Sequence, residues 1–272
     1  MLKARILTGA LLTIIVLSAI CLLPVFYFML FFTAIILFAA WEWGIFIECE
    51  PKSWRRILYV CSHAVVLYLV WHLPIRLVLD VALLWWILAA FLILYYPRFS
   101  NVWSKGIWVR GTMGFLTLAP CWLAVNTIRT AQNGASILIF MLFLIWAADT
   151  GAFFVGRSFG AHPLLPKVSP KKTKEGLYGG ALFTCLIAFF GALLLHVSPA
   201  HLFTVLLIGL ILFVFSVIGD LFESVLKRQV GIKDTGSYLP GHGGLLDRID
   251  SLTAAAPIFL WCLLVFGFLT VG

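Results

Sequence analysis

The chain has 272 residues, of which 63% are hydrophobic and 11% charged; its formal net charge is +8 and its mean hydropathy +1.09. So little polar surface excludes a water-soluble domain, and the length leaves room for one polytopic bundle with no added soluble domain. Six cysteines (Cys21, Cys49, Cys61, Cys121, Cys185 and Cys262) form no CxxC pair and no metal spacing, so they read as small packing residues in an unbridged protein.

Apolar runs of about 20 residues recur, each long enough to cross about 30 Å of hydrocarbon. A backbone in lipid must satisfy its own hydrogen bonds, so these runs are expected to be helices. Nine spans are predicted, at 5–23, 25–47, 56–74, 77–96, 108–128, 135–156, 178–197, 201–222 and 251–270. The fold class is thus all-α, an integral membrane bundle in one domain (1–272). The first run follows Lys3 and Arg5 as a signal peptide would. It has no small-residue cleavage pattern, and a second run begins after Pro24, so a retained helical hairpin is expected.

If the spans alternate, the N-terminus and the loops after spans 2, 4, 6 and 8 carry 17 of the 19 Lys and Arg residues; Arg76 and Arg129 are the exceptions. This split predicts a cytosolic N-terminus and an outer C-terminus. Nucleic-acid binding is not expected, because the cations alternate with spans instead of covering one domain face. Nine of the 17 fall in two stretches, "GRSFGAHPLLPKVSPKKTKEG" (156–176) and "SVLKRQVGIKDTGSYLPGHGGLLDRID" (224–250). Topology alone does not need that concentration.

Acids gather at the same edge. Asp149 lies inside span 6 and Asp220 near the end of span 8, while Asp247 and Asp250 open span 9. A carboxylate near hydrocarbon needs a partner or a wet cavity. Internal salt bridges to Arg228 and Arg248 are one reading. The other rests on spacing: Asp220, Glu223, Ser224 and Lys227 share a helix face, and so do Asp247 and Asp250. Hard oxygen ligands in this arrangement suit Mg²⁺. "PGHGG" (240–244) runs into a helix start, where backbone N–H groups and the helix dipole suit phosphate. A phosphate ester and a divalent metal are therefore expected. An ion-coupled transporter would show internal repeats and polar groups reachable from both sides.

The residues also resemble a known family. Ser224, Lys227, Arg228, Lys233, Asp234, Pro240, His242, Gly243, Gly244, Asp247, Arg248 and Asp250 fit the signature of phosphatidate cytidylyltransferases (CDP-diacylglycerol synthases), in their bacterial form. "VSPKKTKEGLYGG" (168–180) and "WAADTGAFFVGRSFG" (146–160) are further matches. The central motifs are unbroken; residues 1–130 carry little of the pattern, and 131–272 hold the catalytic spans and loops.

The resemblance implies that CTP and phosphatidic acid give CDP-diacylglycerol and pyrophosphate, with Mg²⁺ and with a second, monovalent cation left open. A lipid kinase or another CTP-using lipid enzyme shares the metal and phosphate logic. The resemblance also implies a homodimer in the bacterial inner membrane, with a polar cavity open to cytosol and lipid. Lys227, Arg228, Lys233, Asp234, His242 and Arg248 are the expected catalytic set. His242 orders the loop or contacts phosphate and is not cast as a base. Ser169, Lys171, Lys172, Thr173, Lys174, Gly243 and Gly244 are expected to bind substrate. Asp220, Asp247 and Asp250 are expected to hold the metal, with Asp149, Glu223 and Ser224 supporting them.

Overall fold

A computed structural model describes residues 2–98, 100, 106–236 and 243–270, with side chains from Thr8 onward. Among them are nine α-helices: α1 (Leu2–Leu22), α2 (Val25–Trp43), α3 (Trp54–Trp71), α4 (Ile75–Leu94), α5 (Ile107–Thr130), α6 (Gly134–Phe159), α7 (Lys174–Leu194), α8 (Leu202–Gln229) and α9 (Leu246–Val265). Each lies on one of the predicted spans. Seven of them, α2 and α4 to α9, are long and apolar enough to cross a membrane by length and composition, and α1 contributes the shorter apolar stretch Thr8–Leu22 among its described side chains. In α3 the apolar pattern is diluted by Arg55, Arg56, Ser62 and His63, two of which, Arg56 and His63, are buried.

The bundle carries large apolar side chains on its outside, such as Leu84, Leu94, Leu194 and Phe203. In water this would be a liability; against lipid it costs nothing. Helices α5 and α9 are the interior elements, rich in small residues (Gly111, Gly114, Ala119, Ala124; Ala254, Ala255, Ala256) that let neighbours approach closely. Glycines do the same between α6 and α7. A Cβ on Gly151 would stand 2.5 Å from the Gly179 carbonyl oxygen, and one on Gly179 would stand 2.4 Å from Val155 Cβ.

Polar contacts tie the helices at two ends, as alternation requires. At one end Arg110 reaches Glu48 at 2.6 Å, Arg56 Nε donates to the Trp41 carbonyl at 2.6 Å, and the loops around α7, α8 and α9 meet. At the other, Arg129 donates to the Leu23 carbonyl at 2.9 Å and Trp261 to Asp80 at 2.9 Å. Helix α8 has 28 residues, about 42 Å at 1.5 Å per residue, so it overshoots a hydrocarbon core of about 30 Å.

One element was not expected in an all-α chain. The loop between α6 and α7 forms a short antiparallel hairpin, β1 (Pro163–Leu165) and β2 (Ser169–Thr173), with Pro163 opposite Thr173 and Leu165 opposite Ser169. Val168 at its tip is buried, and its carbonyl accepts a hydrogen bond from Arg228 Nε at 3.1 Å. The other end is fastened by Glu175, which accepts the Ala161 and His162 amides at 3.2 Å each.

Candidate active site

The site is built where α6, β2, α8 and the start of α9 converge. Gly219 is the reason two of its acids are neighbours: a Cβ there would stand 2.5 Å from the Asp250 carbonyl oxygen, so the missing side chain brings α9 against α8 beside Asp220. Asp149, Asp220 and Asp250 lie within electrostatic reach of one another, with Lys172 and Arg248 near Asp149. Lys172 Nζ is paired with Asp220 Oδ2, and the Ser224 hydroxyl lies 3.5 Å from Asp220 Oδ1.

A second charged group sits deeper. Lys227 Nζ donates to Asp247 Oδ1 at 2.7 Å and lies 3.1 Å from Glu223 Oε1, all three side chains being largely buried. Asp247 Oδ2 accepts three more donors: the Thr235 amide at 2.9 Å, the Thr235 hydroxyl at 3.1 Å and the Gly244 amide at 2.8 Å. One carboxylate thus holds the chain at 235 and again at 244, on both sides of the glycine-containing loop. The Gly244 contact reaches back three residues from the first turn of α9, in the manner of a capping box.

Two cavities open around these groups, and Asp149 lines both. One, of about 490 Å³, is walled by apolar residues of α1, α2 and α6 and ends at Asp149, Asp247, Arg248 and Asp250. The other, of about 390 Å³, is bounded by Lys171, Lys172, Thr173, Arg157 and Asp220.

The chain matches the family described as the cytidylyltransferase family over residues 3–266. The chain belongs to the cytidylyltransferase family. Among its relatives, the phosphatidate cytidylyltransferase of Pseudomonas aeruginosa is 42% identical over 267 residues, covering 96% of this chain and 97% of that protein. The protein of the same name from Haemophilus influenzae is 35% identical, covering 95% and 97%. That of Bacillus subtilis is 38% identical over 161 residues, or 57% of this chain.

Set on this family's fold, the expected site residues fall into three groups. Lys171, Lys172, Asp149 and Asp220 face one cavity, and Asp247, Arg248 and Asp250 the other. Lys174, Lys233 and Asp234 are exposed nearby. Several others have structural partners. Thr173 caps α7 by accepting the Gly176 amide at 3.1 Å, Arg228 anchors the hairpin tip, and Lys227 answers Glu223 and Asp247. On the salt-bridge reading, lysines hold Asp220 and Asp247, and Arg248 lies near Asp149. His242 and Pro240 lie outside the described residues.

The glycine turn is also differently used. Of the amides at the turn and helix start, that of Gly244 is taken by Asp247 and those of Leu245 and Leu246 by Glu42 at 3.0 and 2.6 Å, while residues 241 and 242 lie outside the described residues. Gly243 has φ +83°, in the left-handed region where glycine is favoured. Glu42 is the residue that motif reading passed over. Its signal is present in "FAAWEWGIF": an acid inside an apolar run needs a partner.

Among the described residues no set of three or more His, Cys, Asp and Glu groups is gathered to hold a metal ion. The acids nevertheless fit Mg²⁺ in another way. Mg²⁺ is commonly held by one or two carboxylates, with water and substrate phosphate completing its shell. Asp220 offers hard oxygens at a cavity edge, beside Lys172, whereas both Asp247 oxygens are already engaged, Oδ1 by Lys227 and Oδ2 by Thr235 and Gly244.

Proposed function

We propose that this protein transfers CMP from CTP to phosphatidic acid, giving CDP-diacylglycerol and pyrophosphate for phospholipid synthesis. The observation that carries the reading is near-full-length similarity to phosphatidate cytidylyltransferases, joined to a charged site at the end of an apolar bundle. A soluble nucleotide and a lipid need such a junction. The apolar cavity ending in Arg248 and three acids suits a lipid with a phosphate head, and the cavity beside Lys171 and Lys172 suits a polyphosphate.

The phosphate monoester is largely dianionic at pH 7, since a comparable second pKa lies near 6. Its oxygen attacks the α-phosphorus of CTP, a new P–O bond forms, and pyrophosphate leaves with the electrons of the broken bond. No strong base is needed. The obstacle is repulsion between anions, so positioning and charge neutralisation carry the catalysis. Lys171 and Lys172 supply cations at the polyphosphate cavity and Arg248 at the lipid cavity. Asp220 and Asp250 are the residues that would hold Mg²⁺ as they stand, with Asp149 and Ser224 beside them, and Asp247 would join them only by giving up Lys227; the ion, when bound, would supply positive charge to phosphate oxygens.

The reading places the protein in the bacterial cytoplasmic membrane as a homodimer, with the site facing the cytosol. The 17-to-2 division of cations supports the orientation, and the family resemblance supports the dimer. The central test is direct. Purified protein incubated with CTP, phosphatidic acid and Mg²⁺ should yield a CDP-lipid and pyrophosphate in equal amounts, and chelation of Mg²⁺ should stop both. A phosphorylated lipid with release of CDP would instead mark a lipid kinase. A cysteine at 169 (Ser169→Cys, in a cysteine-free background) should be shielded from an impermeant thiol reagent outside the cell; labelling there would reverse the orientation.

A further inference from the structure

We propose that Glu42, in the part of the chain that carries little of the motif pattern, is a positioning residue for the reaction: it holds the start of α9 and so sets where Asp247 and Asp250 stand. The inference rests on the activity proposed above. Glu42 lies in the last turn of α2 and is 0% exposed. Its Oε1 accepts the Leu245 amide at 3.0 Å and its Oε2 the Leu246 amide at 2.6 Å. Asp247 accepts the preceding amide, Gly244, so three consecutive donors at the helix start all go to protein carboxylates. The N-terminus of a helix attracts anions; here that attraction is satisfied from 204 residues away in sequence.

Three features make this a fixed arrangement and not a chance contact. The first is the glycine at 244. A Cβ there would stand 2.7 and 2.8 Å from the two Glu42 carboxylate oxygens and 2.3 Å from Thr235 Oγ1, so the carboxylate fits only because residue 244 has no side chain. The second is the frame around Glu42. Trp43 Nε1 donates to the Arg110 carbonyl at 2.9 Å, and the Trp41 carbonyl accepts Arg56 Nε at 2.6 Å. The residues on either side are therefore tied to α5 and α3, which fixes the direction in which Glu42 points. The third is Thr235, whose hydroxyl donates to Asp247 and lies 3.5 Å from Glu42 Oε2, joining the two acids through one loop residue. Simple packing of α2 would be served by an apolar side chain, because a buried carboxylate is costly without donors. The charge is spent on orienting α9, and the substrate phosphates are left to the lysines and Arg248.

The test combines kinetics with amide exchange on the full-length protein in detergent. Glu42→Gln keeps the size but turns one acceptor into a donor facing an N–H. We expect kcat for CDP-lipid formation to fall about 10- to 100-fold, as for the loss of groups that orient ligating residues. KM for CTP and for phosphatidic acid should stay within about threefold. Exchange of the 244–246 amides should quicken about tenfold, the scale of one lost hydrogen bond. Ile36→Ala is the control for general loosening of α2. Ile36 is fully buried there and lines neither cavity described above, so this variant should melt lower yet keep wild-type kcat per folded molecule and wild-type exchange at 244–246. Should Glu42→Gln not fold, Gly244→Ala displaces the same carboxylate with Glu42 intact and should move the same two readouts. A folded Glu42→Gln protein with wild-type kcat, or with unchanged exchange at 244–246, overturns the proposal. If the wild type itself made no CDP-lipid, the activity reading would fall while the exchange comparison still judged the tie between Glu42 and α9.

Discussion

Two lysine–carboxylate groups stand within one site and differ in kind. The side chains of Lys172 and Asp220 are 30% and 26% exposed, and they border a cavity. Those of Lys227, Glu223 and Asp247 are 12%, 4% and 6% exposed, and Asp247 is saturated with backbone and side-chain donors. The chemistry is the same but the solvation is not. An open pair gains little from its own attraction and can trade a partner for a phosphate or a metal ion. A closed group cannot release one member without stranding another, so it holds structure. The family signature runs through both, and its residues do two jobs.

The sharpest way to break this contrast is Lys227→Met. It leaves Glu223 and Asp247 buried without their cation, and we expect a loss of about 3–5 kcal/mol in stability, the range for breaking a buried pair. Thermal unfolding in detergent measures it. The matching change at the open pair, Lys172→Met, should alter stability by less than about 1 kcal/mol. Equal melting temperatures in the two variants would erase the distinction.

Asp220→Asn tests the open pair for function. It keeps shape and removes the charge that a metal or lysine requires, so turnover should fall at least about a hundredfold while the protein inserts and melts normally. Unchanged turnover with an unchanged Mg²⁺ requirement would remove Asp220 from the metal site. Asp250→Asn should be milder, about 10- to 100-fold, if that acid supports the ligating groups without being the main ligand. One of its oxygens already accepts the Ser251 amide at 2.6 Å.

The smallest effect is expected for Lys171→Ala. Lys171 is exposed and borders the polyphosphate cavity, so its loss should raise KM for CTP several-fold, more at low than at high ionic strength, because exposed charges are screened by salt. A KM that ignores both the substitution and the salt would assign this lysine to topology alone.

The helices were legible because a lipid-facing helix must be apolar along its whole length, and that is a one-dimensional property. The edge acids were legible for the converse reason: Asp149, Asp220, Asp247 and Asp250 stand out against the runs that contain or adjoin them. Pairing was not legible. Nothing local says that Asp220 meets Lys172 and not an arginine, or that Glu42 meets the amides of Leu245 and Leu246. Those partners are set by how the helices cross, down to a glycine at 219. The hairpin at 163–173 was missed because its strands have three and five residues and two prolines, too short for an alternating pattern to show. The expectation of free amides at the glycine turn followed from a general property of helix starts. It could not register that Asp247 takes the Gly244 amide and a distant acid, Glu42, the two that follow.

The seam between α6 and α7 has a consequence for how the site moves. Packed helices usually slide past each other through small rotamer changes of the side chains between them. At Gly151, Gly156, Gly176 and Gly179 backbone approaches backbone, with only Val155, Thr173 and Phe183 packed into the gaps. Such a joint leaves few rotamers to slide through. Asp149 on one helix and the lysine-bearing hairpin that leads into the other are therefore expected to move together. Opening that admits a nucleotide is then expected on the other side, where α8 and α9 carry the remaining acids.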